Sequence, residues 1–269
     1  MAERIVRKTD EKVVSAVKDD HISLSSGGTE VLINLKNGLI AGASRDGRSS
    51  NFTDGPRFVG ISSVPSEVRH YESPDGYVVE ALYPGRSGGS VKWTMLPGGW
   101  LRLDYGYRPA GLQDLLGITF SFSEETVKDA FLMANGPYRV WKNRLKGPLF
   151  GVYHKEYNNT VTGESWDYPE FKGYYSNFYA VRIGTADLPL TIVSSTNDIY
   201  LHLFTPQNPG HASGWVTPEF PEGNISLLNS ISPIGTKFNP PESLGPGSQK
   251  NSYREAKPLG GTIYFRFGD

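Results

Sequence analysis

From Leu101 the apolar residues Leu101, Leu103, Tyr105 and Tyr107 alternate with Arg102, Asp104 and Gly106, the period of two that belongs to a strand with one buried face. Pro97, Gly98 and Gly99 separate this run from SVKWTM, so the two segments predict an antiparallel hairpin. The same period recurs at Ile118, Phe120 and Phe122, at Tyr179, Val181 and Ile183, at Ile199, Leu201 and Leu203, and at Ile263, Phe265 and Phe267. Clusters of Gly, Pro, Asn and Asp lie between these runs, and short strands so punctuated predict an antiparallel sandwich rather than βα units. One brief helix is expected over Ser123 to Ala130, where Ser123 would cap a first turn holding Glu124 and Glu125.

Composition sharpens the pattern. The chain has 31 Gly and 19 Pro beside 15 Tyr, 13 Phe and 5 Trp, a mixture of turn formers and aromatics that favours β structure. With 269 residues and no internal change of composition, one domain over residues 20–269 is expected. Residues 1–19 read as a charged leader, a linker, or a first strand joining a preceding module. Residues 238–250, rich in Pro, Gly and Ser, read as a surface loop before a last strand, GTIYFRF.

Charge and motifs remove several classes of function. Twenty-seven basic and 28 acidic residues leave a formal charge of −1, which provides no field for nucleic acid or an anionic membrane. There is no cysteine, so no thiolate metal site or Cys nucleophile exists. No Walker A loop, Rossmann glycine pattern, H-E-x-x-H or G-x-S-x-G is present, and no cofactor or metal is expected. No apolar run approaches the ~20 residues of a membrane helix. The opening MAERIVRKTDEKVV is charged where a signal peptide is apolar. The chain thus reads as soluble, either cytoplasmic or cut from a longer secreted protein. The five histidines are scattered singly, and His202, inside YLHLF, is expected as a half-exposed sheet residue.

Two stretches carry candidate chemistry. GESWDYPEFKG holds Glu164, Asp167 and Glu170, acids of the type that glycoside hydrolysis pairs across a cleft. From Tyr153 to Tyr179 nine aromatics interleave with amides, acids and Lys172. Aromatic planes flanked by polar groups complement the apolar face and hydroxyl rim of a sugar. Trp166 and Tyr168 are the expected platforms, with Tyr174 and Tyr175 beside them, while Phe171, Phe178 and Tyr179 are assigned to packing. The second stretch, MANGPYRVWKNRLKG, sets Trp141 among Arg139, Lys142 and Arg144 after a Gly-Pro corner.

The run WLRLDYGYRPAGLQDLLGITFSFSEETVKDAFLMANGPYRVWKNRLKG resembles the C-terminal β-sandwich, or small-chain domain, of glycoside hydrolase family 2 β-galactosidases. There an L-R-L-D-Y-x-Y strand precedes G-x-G-P-x-E-x-Y-x-D-R. VLINLKNGLIAGASRDGR with GPRFVG resembles the opening of that domain, and FNPPESLGPGSQKNSYREAKPLGGTIYFRF its close. The resemblance implies an all-β, antiparallel supersandwich of the galactose mutarotase kind, with very little helix. It also implies a parent enzyme, bacterial and periplasmic or extracellular, whose catalytic barrel is absent here and would be a partner. Departures are clear: Arg139 stands for the family's Glu, Trp141 for Tyr and Asn143 for Asp, with Arg144 kept; in the closing loop Leu244 stands for Trp and Pro241-Glu242 for Asp-Asp.

Together these readings imply a non-catalytic module that binds oligo- or polysaccharide. Trp141, Trp166 and Tyr168 would stack on the sugar, with Tyr174 and Tyr175 as further platforms. Arg139, Arg144, Asp167 and Glu170 would hydrogen-bond hydroxyls or, for the arginines, uronate carboxylates. Arg144 has a second, structural reading, pinning a loop to the sandwich through backbone carbonyls. One alternative function is a structural domain docked on its barrel, with Trp141 and its neighbours in the interface. Another is a stand-alone epimerase or lyase with His154, Tyr157 or Glu170 as acid or base.

Overall fold

The computed structural model describes residues 2–7, 9–157, 172–204, 219–253 and 257–268. Alternation drives the architecture: along Trp100–Tyr107 every second side chain from Leu101 is buried, and those between are half-exposed, except Trp100 at the start. Among the described residues, two antiparallel sheets of nine strands each result.

The first sheet runs β1 (Val14–Lys18), β2 (His21–Ser26), β3 (Thr29–Asn34), β4 (Ile40–Arg45), β6 (Phe52–Val59), β12 (Leu116–Phe122), β18 (Ile225–Ser230) and β17 (Tyr200–Leu203), with β5 (Arg48–Ser50) paired on β4. The second runs β14 (Leu149–Glu156), β13 (Val127–Gly136), β15 (Ala180–Thr185), β16 (Leu190–Ser194), β20 (Leu259–Phe267), β10 (Trp100–Tyr107), β9 (Gly89–Met95), β8 (Gly76–Tyr83) and β7 (Glu67–Ser73). The expected hairpin is β9–β10, in register from Leu101 opposite Met95. Strand β20 lies in the middle of its sheet, between β16 and β10. A two-stranded ribbon, β11 (Gly111–Gln113) with β19 (Asn251–Tyr253), lies outside both sheets.

The main core fills the space between the sheets. Phe52 stacks on Phe120 with centroids 4.7 Å apart, and Trp93 packs on Phe265 at 5.7 Å. Trp93 satisfies its indole N–H on the carbonyl of Gly38 at 3.0 Å. Each such ring contributes about 2 to 3 kcal/mol by leaving water. One polar strut crosses the core: Tyr105 and Tyr107 of β10 both donate to Asn229 Oδ1 of β18, at 3.3 and 2.9 Å, and Asn229 Nδ2 donates to the Gly260 carbonyl of β20 at 3.2 Å.

Two smaller apolar clusters lie outside the core. Val140, Trp141, Tyr174, Leu228, Ile231 and Ile234 cover the outward face of the first sheet. Ala2, Leu96, Trp100 and Val193 cover the second sheet beside a single helical turn, Ala2–Ile5.

The helix expected over Ser123 to Ala130 is absent. Val127 closes a turn on Glu124 O at 3.1 Å, and β13 begins there. A one-turn helix has no apolar stripe to bury, whereas Ala130, Leu132 and Ala134 alternate into the core between β14 and β15. Residues 241–248 form two 3-10 turns on the surface, as expected of that loop, with Ser248 at the end of the second buried.

Candidate functional site

The stretch after β13 is a knot rather than a ligand platform. Asn143 donates to Ile234 O and to Ser248 Oγ, and its side-chain carbonyl accepts from Ile234 N–H at 3.0 Å. Arg144 donates to Gly235 O at 3.0 Å, and Lys142 to Gln249 O at 2.7 Å. Trp141 is 0% exposed and meets Tyr174 edge-on at 5.5 Å and Phe220 at 5.8 Å. The stacking role expected of Trp141 is therefore corrected, because the indole has no face left for a sugar. Tyr174 and Tyr175 are likewise buried, and Arg144 takes the loop-pinning geometry. Trp166, Tyr168, Asp167 and Glu170 lie outside the described residues.

Tyr174 and Tyr175 point to opposite sides of one short segment. Val140 and Tyr174 form a β-bridge, as do Tyr175 and Leu201. On the Tyr174 side, His202 of β17 stacks on Phe220 at 5.0 Å and lies 5.9 Å from Tyr174. His202 is 1% exposed, not half-exposed as its alternating strand suggested, because Phe220 and Tyr174 close over the sheet face. Both ring nitrogens lack a partner among the described residues. Burial, with the Arg139 charge second, pushes its pKa down to about 3, so the imidazole is neutral at pH 7.

On the Tyr175 side, the guanidinium carbon of Arg139 lies 5.2 Å and Lys155 Nζ 6.0 Å from the phenol ring centre. Burial pushes the Tyr175 phenol up, yet the Arg139 and Lys155 charges and their hydrogen bonds outweigh it, and the net shift is downward. Lys155 on β14 is itself held low by burial, and the Arg139 charge adds to this. A narrow cavity of about 20 Å³ is lined by these three residues and by Asp129, Glu156 and Phe204, among others.

The acid–base candidates nearby are already occupied. His154 Nε2 lies 3.1 Å from Asp129 Oδ2, with its ring stacked on Phe131 at 4.3 Å. Tyr157 donates to Glu124 Oε2 at 2.8 Å.

A larger concavity than this one lies elsewhere among the described residues, and sequence reasoning missed it. A groove of about 800 Å³ is lined by parts of β6 and β12, by residues 60–65, 112–115 and 219–222, and by Tyr83 of β8. Phe58, Tyr83 and Phe220 supply aromatic wall. Phe58 sits edge-on to Tyr83 at 4.9 Å, and burial pushes the Tyr83 phenol up to about 12. Four of its ionic groups are paired: Arg57 with Glu222 at 3.5 Å, and with Asp54 beside the groove at 3.1 Å, and Lys250 with Asp114 at 2.8 Å. The GPR corner at residues 55–57 was visible as a turn, but nothing in the sequence joins it to residues 112–115, 219–222 and Lys250.

No family model matches the sequence, and no curated protein does. Solved structures align over nearly the whole chain. A galactose 1-epimerase from Lactobacillus acidophilus NCFM is 10% identical, with 97% of this chain and 99% of that one covered and a TM-score of 0.48. A putative mutarotase (YeaD) from Salmonella typhimurium is 10% identical over 100% and 99% of the two chains, TM-score 0.46. A putative aldose 1-epimerase from Escherichia coli K12 is 14% identical over 96% and 99%, TM-score 0.41. The β-galactosidase reading is corrected by these matches: the aligned chains are epimerase- and mutarotase-type proteins matched over 99% of their own length, not terminal domains beside a barrel. The accessory-module function and the barrel partner fall with it. What the chain forms is a nearly all-β antiparallel sandwich, consistent with the galactose mutarotase-like supersandwich expected from its sequence.

Proposed function

We propose that the chain binds a saccharide in the groove over β6 and β12. The observation that carries this reading is the combination in one concavity of about 800 Å³ of an aromatic wall, Phe58, Tyr83 and Phe220, with a rim of Arg57, Asp114, Glu222 and Lys250. A volume of this order takes a mono- or disaccharide, and an apolar wall with a few orienting polar groups is the usual form of a small-molecule site. The paired ions suit hydroxyls, which both donate and accept and so insert between Arg57 and Glu222 without leaving either charge bare. Titration calorimetry against neutral mono- and oligosaccharides tests it. Binding should weaken about tenfold in Arg57→Ala, the loss of one charge-assisted contact. Absence of heat with every sugar, or equal affinity in the variant, defeats it.

A second reading, a stand-alone aldose epimerase, is favoured by the carboxylates Asp114, Glu219 and Glu222 that line the same groove. Interconversion of anomers needs a proton removed from the anomeric hydroxyl and one given to the ring oxygen, work that carboxyl groups perform. Polarimetry on freshly dissolved aldoses decides: acceleration lost in Glu219→Gln or Glu222→Gln supports it, and a rate equal to buffer removes it.

A further inference from the structure

The polar row that lines the groove continues along the strands past Arg57. Ile118, Phe120 and Phe122 of β12 belong to the core, so Thr119 and Ser121 share the opposite side of the strand. Thr119 lies opposite Arg57 of β6, and Ser121 lies opposite Thr53. Residues paired in this way present their side chains on one face, and two steps along β12 advance about 7 Å. Thr119 and Arg57 line the groove. Ser121 and Thr53 line a second concavity, of about 520 Å³, with Asn51, Ser123 and Glu222 among its other walls. Glu222 lines both. Arg57 links the two, because it donates to Ser121 Oγ at 3.5 Å and pairs with Glu222 at 3.5 Å. Asn224 ties the Glu222 segment to the end of β12: its side-chain carbonyl accepts from Phe122 N–H at 2.8 Å, and its amide donates to Phe122 O at 2.6 Å.

We propose that this second concavity is a further sugar subsite in line with the groove, and that the chain takes a neutral oligosaccharide of three or more units. The inference rests on the groove reading and extends it: a unit seated between Arg57 and Glu222 has its neighbour over Ser121 and Thr53. The lining fits that neighbour. Hydroxyls of Thr53, Ser121 and Ser123 both donate and accept, the Asn51 amide does the same, and Glu222 accepts. Phe122 is buried, so its ring offers no plane, and this end of the cleft holds a sugar by its hydroxyls where the groove holds it by an aromatic wall. Among the described lining residues there is a carboxylate and no Lys or Arg, which favours an uncharged unit over a uronate. Because the strand pair and the Asn224 tie fix these groups before binding, little order is lost when the ligand arrives.

Calorimetry of the full chain tests this with galacto-, cello- and malto-oligosaccharides, each from one to five units. In the series that the groove binds, affinity should climb by about tenfold beyond the disaccharide and then level off. The readout is the ratio of affinity for the pentasaccharide to that for the monosaccharide, which partial unfolding, acting on every length alike, does not change. In Thr53→Val that ratio should fall by about three- to tenfold, the effect of one or two neutral hydrogen bonds, and Asn51→Ala should lower it as well. Asn51 is exposed, so its variant carries the comparison should Thr53→Val melt earlier than the parent chain. Affinity independent of length overturns the subsite and leaves the groove reading standing. A gain with length that survives both variants puts the extra units elsewhere and overturns the assignment too. Absence of binding at every length defeats the groove reading, and the subsite with it.

Discussion

His202 is a buried imidazole that gives the fold an acid-sensitive point. Its pKa in the folded state is pushed down to about 3, against about 6.5 in an unfolded chain. Between those values the unfolded state binds more protons, so stability is intact above pH 6.5 and is lost as pH falls below it, by about 1 kcal/mol per unit. Urea midpoints measured at pH 7.5 and pH 5 should differ accordingly, and the difference should shrink in His202→Leu. At pH 7.5 that variant should be near neutral, since it removes two nitrogens without partners among the described residues. Trp141 is the opposite case: Trp141→Ala should cost about 3 to 5 kcal/mol, the usual loss for a large core side chain, measurable as a lowered thermal midpoint. A ligand platform truncated in the same way would lose affinity and leave the melt where it was.

At the scale of elements, glycines set how closely β9, β10 and β20 approach. A Cβ at Gly89 would lie 1.7 Å from Gly106 O, and one at Gly260 would lie 2.1 Å from Tyr105 O. Gly106 itself has its nearest such neighbour at 3.7 Å. Gly89→Ala should therefore destabilise by about 1 to 3 kcal/mol through overpacking against backbone, whereas Gly106→Ala should stay within about 0.5 kcal/mol; paired denaturation curves distinguish them. Strands were the legible part of the sequence. Leu101 to Tyr107 and Ile263 to Phe267 announce their buried face by alternation alone. Ser123 to Ala130 misled because a local capping signal was weighed without the two strands that flank β13. The β-galactosidase motifs misled for a related reason: L-R-L-D-Y-x-Y is strand alternation and G-P-R is turn chemistry, both common to many sandwiches.

At the scale of the whole molecule, the strut through Asn229 fixes the two sheets in register. Tyr105 and Tyr107 are buried and have their phenols pushed up by that burial, so each needs a hydrogen-bond acceptor. Asn229→Leu should cost about 1 to 3 kcal/mol by leaving those hydroxyls unanswered, and hydrogen exchange should speed up in β18 and β10 together. Candidate sites were the least legible part at this scale. The groove draws on widely separated stretches of chain from Asn37 to Lys250, and the Tyr175 cavity joins residues after β13, on β14 and before β15. Nothing in local spacing brings Arg139, Lys155 and Tyr175 together; the pairing of β13 with β14 and the bridge from Tyr175 to Leu201 do.

The position of β20 also bears on how the protein is made. Its nine residues are translated after every other strand described, yet they sit at the centre of the second sheet. Until they clear the ribosome, that sheet exists as two four-stranded halves, β7 to β10 and β13 to β16, each with an open inner edge. Those edges are templates for pairing with another nascent chain, so polysome crowding and chaperone supply, more than the stability of the finished fold, should govern how much protein is recovered from rapid expression.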